Sequence, residues 1–326
     1  MPTRLLSLPD ITGIGACAIN PFQAQSIAAT TAICEAYGIA LPAMQHYITM
    51  SSYLFPTASL ERLKAIDLLN AILFYIDDMY DRNQHRVPIH LPSPATYAHC
   101  VGLFVDGMLP TDGHHLYPIW YEAYRQFRDL STRDYRQRLA ESLMTHLQAT
   151  QIPNRTFLQA TATTDMYIAT RLHDSGMYPT MILIEFALGQ PIARDIYTHP
   201  AMQRATELTA LIGALLNDLF SYEKEVLHLD SRFNLVRILM DAEQLSFAQA
   251  VHQSITMINQ WIAKFETIAQ PSVWFPGVQH AQANRYVDGL RQQIAAAWHW
   301  QLATNRYRSP NSPFPILRNL LPDDER

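Results

Sequence analysis

Three carboxylates close an apolar stretch in Phe74-Tyr75-Ile76-Asp77-Asp78-Met79-Tyr80-Asp81. Asp77 and Asp81 are four residues apart, so on a helix both lie along one face, a turn from each other. Like charges stacked in this way repel, and the negative end of the helix dipole adds to the cost. A divalent cation between them relieves both terms. Magnesium suits such a pair, because it takes a few carboxylate oxygens and keeps waters or phosphate oxygens as its other ligands. The alternative is an acidic helix end left in water. A second oxygen-rich line follows the apolar run Leu208–Leu216, in Asn217-Asp218-Leu219-Phe220-Ser221-Tyr222-Glu223-Lys224-Glu225. Asn217, Ser221 and Glu225 fall at i, i+4 and i+8, on one helical face. An amide oxygen, a hydroxyl and a carboxylate form a hard donor set that fits Mg²⁺ or Mn²⁺ rather than zinc. Here the alternative is a polar helix end with Lys224 and Glu225 solvated.

Such lines need long helices to hold them, and the pattern is helical nearly throughout. Apolar residues recur with a period near 3.6 over Leu60–Tyr80 (Leu63, Ile66, Leu69, Leu73, Ile76), with Thr57 or Ser59 as cap. Other helices are expected from Pro21 to Tyr37, Pro94 to Asp106, Pro118 to Leu147 and Phe157 to Arg171. Three more follow at Pro200 to Glu225, Ser246 to Ile268 and Gln279 to Thr304. The apolar run Gly176–Ala193, interrupted by Pro179, Glu185 and Pro191, reads as a kinked core helix with its regular part at Tyr178 to Leu188. Period-two alternation is scarce, which argues against a sheet. About ten helices without a break in composition predict an all-α fold over 1–326 as one domain. The expected core spans about 20–307, with flexible ends at 1–19 and 308–326.

The bulk numbers exclude several classes. A net charge of -5 does not suit nucleic acid as a partner. Gly is scarce at 11 residues and no Gly-rich phosphate loop occurs, so phosphate has to be held by metals and cationic side chains. The three cysteines, Cys17, Cys34 and Cys100, form no CxxC pair, which fits a reducing compartment. The N-terminus reads as a poor signal peptide, and no run is long and clean enough for a membrane span. A cytoplasmic chain, monomeric or homodimeric, is expected.

The two oxygen lines together resemble the aspartate-rich motif and the Asn-Ser-Glu triad of class I terpene synthases, especially the single-domain bacterial type. The resemblance spans Asn20-Pro21 to Tyr307. It implies an α-helical barrel around a central apolar cavity. Asp77 and Asp81 would hold two Mg²⁺ ions, and Asn217, Ser221 and Glu225 a third, with Mn²⁺ as an alternative metal. Arg171, 46 residues before Asn217, matches the family's diphosphate sensor. Asp78 would bond that arginine on closure, Asp174 matches the linker, and Ser175 the effector, which acts through its carbonyl. Lys224 resembles the diphosphate-binding lysine. Arg306-Tyr307 matches the Arg-Tyr clamp; Arg285-Tyr286 repeats the dipeptide, but the later pair follows the Trp298/Trp300 segment as in the family. Two positions depart from the pattern: no tryptophan stands near Cys34, and Ala297 replaces the asparagine usual before the last tryptophans.

Breaking an allylic C–O bond leaves a carbocation and diphosphate. Arg171, Lys224 and Arg306 would help neutralise the anion, and arginine can engage two oxygens at once. The cation needs a dry pocket, for which Phe55, Phe74, Tyr167, Trp298 and Trp300 are candidate aromatic faces. His173 and His299 read as structural or solvated. Farnesyl diphosphate leads as the commonest substrate of the family. Geranylgeranyl diphosphate and a pre-cyclised diterpenyl diphosphate follow, ahead of a chain-elongating prenyl synthase or an inactive helical binding protein.

Overall fold

The structure, a computed structural model, describes residues 5–39, 44–84, 92–150 and 163–318. Among these residues there are fourteen α-helices and no strand. The chain packs as two compact units, residues 18–148 with 182–191, and residues 1–17 with 149–181 and 192–326.

In the first unit, α1 (Gln23–Ala36), α2 (Met44–Leu54) and α5 (Tyr117–Arg128) pack around α3 (Leu60–Gln84), and α4 (Pro94–Asp106) packs on α5. The caps follow from side-chain chemistry. At the start of α4, Ser93 Oγ accepts from Thr96 N at 3.1 Å and Pro94 takes the first turn, while Gly107 closes the helix at φ 71°. The helix expected over Pro118–Leu147 is two helices, α5 and α6 (Arg133–Ala149). Neighbouring hydroxyls divide it: Ser131 Oγ donates to Phe127 O at 2.6 Å, and Thr132 Oγ1 accepts from Tyr135 N at 3.2 Å. Both bonds compete with the helical ladder. Unforeseen α2 buries Ser51 and Ser52 completely, so its apolar period is masked by polar residues on the inner face.

The second unit is built on α10 (Pro200–Tyr222), against which α7 (Thr164–Asp174), α11 (Leu235–Ala242), α12 (Phe247–Ile268) and α14 (Val278–Ala303) pack. Every residue from Leu208 to Leu216 is buried, the pattern of a helix surrounded on all sides. Short α9 (Arg194–Tyr197) and α13 (Pro271–Trp274) lie against α14. A capping box at Ser246 and Gln249 starts α12.

The run read as a kinked helix is corrected. It forms α8 (Met177–Leu188), whose Pro179 sits in the first turn and whose end precedes Pro191, so no proline interrupts it. Glu185, which interrupts the apolar run, is paired with Arg138, whose Nη2 lies 2.9 Å from both carboxylate oxygens. Residues 157–162 of another expected helix lie outside the described ones; its described part is α7. The segments expected to be flexible ends carry tethers where described. Leu6 N donates to Pro313 O at 3.0 Å, Thr12 N to Asn259 Oδ1 at 2.9 Å, and Ser309 Oγ to a carboxylate oxygen of Glu223 at 2.7 Å. Among the described residues, no helix is long and apolar enough to cross a membrane.

Candidate functional site

The backbone of the whole Asp77–Asp81 motif lies in α3, with Asp77 half-buried; the side chains of Asp78 and Asp81 lie outside the described ones. Phe55 and Phe74 belong to the same unit. Phe55 is buried, and Phe74 is half-buried with its ring 5.1 Å from that of Tyr47.

In the second unit, the end of α10 gathers most of the remaining candidates. Arg171 on α7 is almost fully buried and donates from Nε to Asp218 Oδ1 at 3.0 Å and from Nη2 to Asn217 Oδ1 at 2.9 Å. Its Nη1 is 3.9 Å from Asp174 Oδ2. Burial strips the guanidinium of water, but the carboxylates of Asp218 and Asp174 and the nearby Tyr167 hold its pKa well above the ordinary value. Burial also pushes the Asp218 carboxyl upward, and Arg171, Tyr167 and the Leu235 amide oppose it. Tyr167 donates to Asp218 Oδ2 at 2.5 Å and Leu235 N to the same oxygen at 3.1 Å. With three donors on two oxygens, we take Asp218 as a carboxylate.

Tyr167 is completely buried, with its ring 4.9 Å from Phe233. Burial and the charge of Asp218 keep its phenol far above the usual range, so it remains a donor. Its place is thus in the support of Arg171 rather than on an open wall. Trp298 is half-buried with its edge against Phe220 at 5.3 Å; Trp300 is buried, edge-on to Tyr307 at 6.2 Å.

Asn217 joins the C-terminal segment to this group. Its Nδ2 donates to Tyr307 Oη at 2.7 Å and to Gln301 Oε1 at 3.2 Å. Tyr286 of the repeated dipeptide instead meets Thr206 Oγ1 at 3.0 Å. Where the family pattern has asparagine, Ala297 offers only its carbonyl, which accepts from Gln301 Nε2 at 2.5 Å. The Arg306 guanidinium lies 5.9 Å from the centre of the Tyr307 ring. At the C-cap of α7, Ser175 N donates to Arg171 O at 3.1 Å, so Ser175 follows Arg171 by one turn. Ring stacking places His173 5.6 Å from Tyr178, and His299 Nε2 meets Gly15 O at 3.1 Å.

The α-helix expected to reach Glu225 stops at Tyr222 and continues as a π turn over Glu223–His228. Its widened step is visible in Leu229 N donating to Lys224 O at 3.2 Å, five residues back. Lys224 and Glu225, both half-buried, ride on this turn. Burial pushes the Glu225 carboxyl up to about 7, with Asp218 adding to the effect and Arg171, Asn234 and Lys224 opposing it.

The donor set fits a hard cation. Ser221 Oγ is buried and has no hydrogen-bond partner among the described residues, an arrangement that costs free energy until something accepts or binds that oxygen. Among the described residues no three His, Cys, Asp or Glu side chains gather around a metal-sized space. A metal on this line would therefore draw on amide and hydroxyl oxygens as well as carboxylate. Sequence reasoning gave no role to Asp218, Asn234 or Gln301. Asp218 stands beside Asn217 in the motif, but an acidic residue there could equally have been a ligand; only the fold shows it turned to Arg171.

Residues 68–264 match the family model described as terpene synthase family 2, C-terminal metal binding. Sesquiterpene synthase Agr3 of Cyclocybe aegerita is 28% identical over 270 residues, covering 79% of this chain and 74% of its own length. The 10-epi-cubebol synthase of Sorangium cellulosum is 25% identical over 283 residues, covering 83% and 86%. Among solved structures, a linalool/nerolidol synthase from Streptomyces clavuligerus superposes with a TM-score of 0.76 at 17% identity, covering 90% of this chain and 100% of the other. At that identity the likeness speaks for the all-α fold alone.

Proposed function

Because this chain belongs to the class I terpene synthases, matching the family 2 model over 68–264, we propose that it ionises an allylic isoprenoid diphosphate with the help of Mg²⁺. The observation that carries the reading is the hydrogen-bonded group of Arg171, Asn217 and Tyr307 together with the Ser221 hydroxyl, buried without a hydrogen-bond partner among the described residues. Asp77 and Asp81 would hold two ions, and Asn217, Ser221 and Glu225 a third. Bound metal supplies neutralisation of the charge that builds on the departing diphosphate.

The chain's own cations do the rest. Arg171 is kept charged by Asp218, so it meets a diphosphate oxygen as a ready donor whose position is fixed on its Nε side. Lys224 on the π turn and Arg306 beside Tyr307 add charge from two further directions. By the family resemblance, Asp78 would bond Arg171 on closure, with Asp174 and Ser175 as linker and effector between α7 and α8. Phe74 and Trp298, both half-buried, are the aromatic candidates with surface left to face a cation.

Farnesyl diphosphate is the substrate we favour, since Agr3 bears the name of a sesquiterpene synthase and sesquiterpenes carry its fifteen-carbon skeleton. The enzyme acts as a monomer or homodimer in the cytoplasm and releases a hydrocarbon or alcohol. The test is incubation with Mg²⁺ and farnesyl or geranylgeranyl diphosphate, following diphosphate release and volatile products. Release with farnesyl diphosphate is expected, abolished in folded Asn217→Ala or Glu225→Ala. No release from these or from any other allylic diphosphate, pre-cyclised ones included, by folded protein overturns the reading, and full activity in either variant overturns the assignment of the third metal.

A further inference from the structure

Asn234 is a residue that sequence reasoning passed over, and it is completely buried. It stands in the loop after the π turn, as N-cap of α11. Its Oδ1 accepts from Val236 N at 3.1 Å, the ordinary capping bond. Its Nδ2 has two hydrogens, and both are used. One goes to the main-chain carbonyl of Asp218 at 2.8 Å, the other to Glu225 Oε2 at 3.1 Å. The next residue, Leu235, donates its amide to the Asp218 side chain at 3.1 Å. One short segment thus grips the carboxylate that holds Arg171 and the carboxylate on the metal line.

The π turn makes such a grip necessary. Its wide winding leaves Glu225 out of the register that an α-helix would impose on Asn217, Ser221 and Glu225. Something other than the helical ladder has to fix where the Glu225 carboxylate points. Only a side chain with one acceptor and two N–H donors, at asparagine length, can cap α11 and make both donations. Aspartate would keep the cap and lose both donors, and serine would keep it with a single shorter O–H donor in place of two.

We propose that Asn234 is the positioning residue for Glu225, setting the third metal ligand across the π turn while anchoring the Asp218–Arg171 pair. This rests on the reading of the Asn217, Ser221 and Glu225 line as a metal site. A residue that orients a ligand in this way typically governs metal affinity by about 10–100-fold.

The experiment is a Mn²⁺ titration, read by electron paramagnetic resonance, of the full chain in the presence of inorganic diphosphate. Asn234→Ser, which keeps a capping oxygen, is expected to weaken Mn²⁺ binding at least about 10-fold while its helical circular dichroism persists. Ser246→Ala removes the exposed cap of α12 and is expected to leave the affinity unchanged, separating positioning from the mere loss of a helix cap. Should Asn234→Ser not fold, the wild type supplies the reading: the side-chain amide of Asn234, in ¹⁵N-asparagine-labelled protein, is expected to shift on adding Mg²⁺ and diphosphate. No Mn²⁺ uptake by the wild type overturns the metal reading and this role with it. Uptake by the wild type with unchanged affinity in folded Asn234→Ser, or an unmoved amide signal, overturns the role of Asn234 alone.

Discussion

Asp67 on α3 and Asp218 on α10 are sealed from solvent to the same degree, at 0% and 1% exposure, yet one is surrounded by hydroxyls and the other by a cation. Asp67 Oδ2 accepts from the hydroxyl of Ser26, the hydroxyl of Ser51 lies nearby, and Oδ1 has no hydrogen-bond partner among the described residues. Burial pushes that carboxyl up to about 7, against the pull of the two serines. Asp218 has Arg171, Tyr167 and the Leu235 amide. Hydroxyls satisfy geometry without supplying charge, so they leave a buried carboxyl close to its neutral form. A guanidinium supplies both, and the same residue type becomes half of an ion pair.

The largest effect comes from taking half of that pair away. Asp218→Ala leaves Arg171 buried and uncompensated, and urea unfolding is expected to show a loss of about 3–5 kcal/mol. Asp67 should answer in the opposite sense. Below about pH 4 its carboxyl is protonated in the folded and the unfolded chain. As pH rises from about 4 to about 7, the unfolded chain alone gives up its proton, so the stability due to this group falls across that window. The fall is on the order of a few kcal/mol. In Asp67→Asn, stability measured against pH should lose this slope, and the variant should gain on the wild type above pH 7. An unchanged slope would mean that Asp67 is ionised, and the contrast with Asp218 would disappear.

The contrast also marks what the residues alone disclose. The pairing of Arg171 with Asn217 is legible in their spacing, and Asn217 and Ser221 share a face of α10 because oxygen donors at helical intervals are a property of local geometry. The all-α fold is legible for the same reason, through the apolar period of α3 and the apolar run of α10. Asp218, Asn234 and Gln301 were not, because their roles depend on which neighbour the fold turns toward them. The break between α5 and α6 lay in two adjacent hydroxyls, Ser131 and Thr132, whose competition with the helix cannot be weighed without the packing around them. The π turn is subtler still: Tyr222-Glu223-Lys224-Glu225 carries no proline or glycine to announce it.

A smaller effect probes how much of the Asp218 arrangement is charge and how much is hydrogen bonding. Tyr167→Phe keeps the ring against Phe233 and removes one donor from a buried carboxylate, a change of about 1.5–3 kcal/mol. Thermal or urea unfolding should place it below Asp218→Ala, with Arg171 still paired. A loss as large as that of Asp218→Ala would mean that the phenol, not the guanidinium, carries the pair.

Ser221→Ala should cost least in stability. Its hydroxyl is buried without a partner among the described residues, so the metal-free protein loses no hydrogen bond and is relieved of a desolvated polar atom. Unfolding without metal should be unchanged or slightly harder, within about 0.5 kcal/mol. On the proposed reading, the same variant is expected to bind Mn²⁺ with diphosphate less tightly, because it lacks one oxygen of the Asn217, Ser221 and Glu225 line. Stability and metal affinity therefore move apart at Ser221. If Ser221→Ala were strongly destabilised in the absence of metal, its hydroxyl would be a structural group that the fold already satisfies, and the cation site would have to be sought without it.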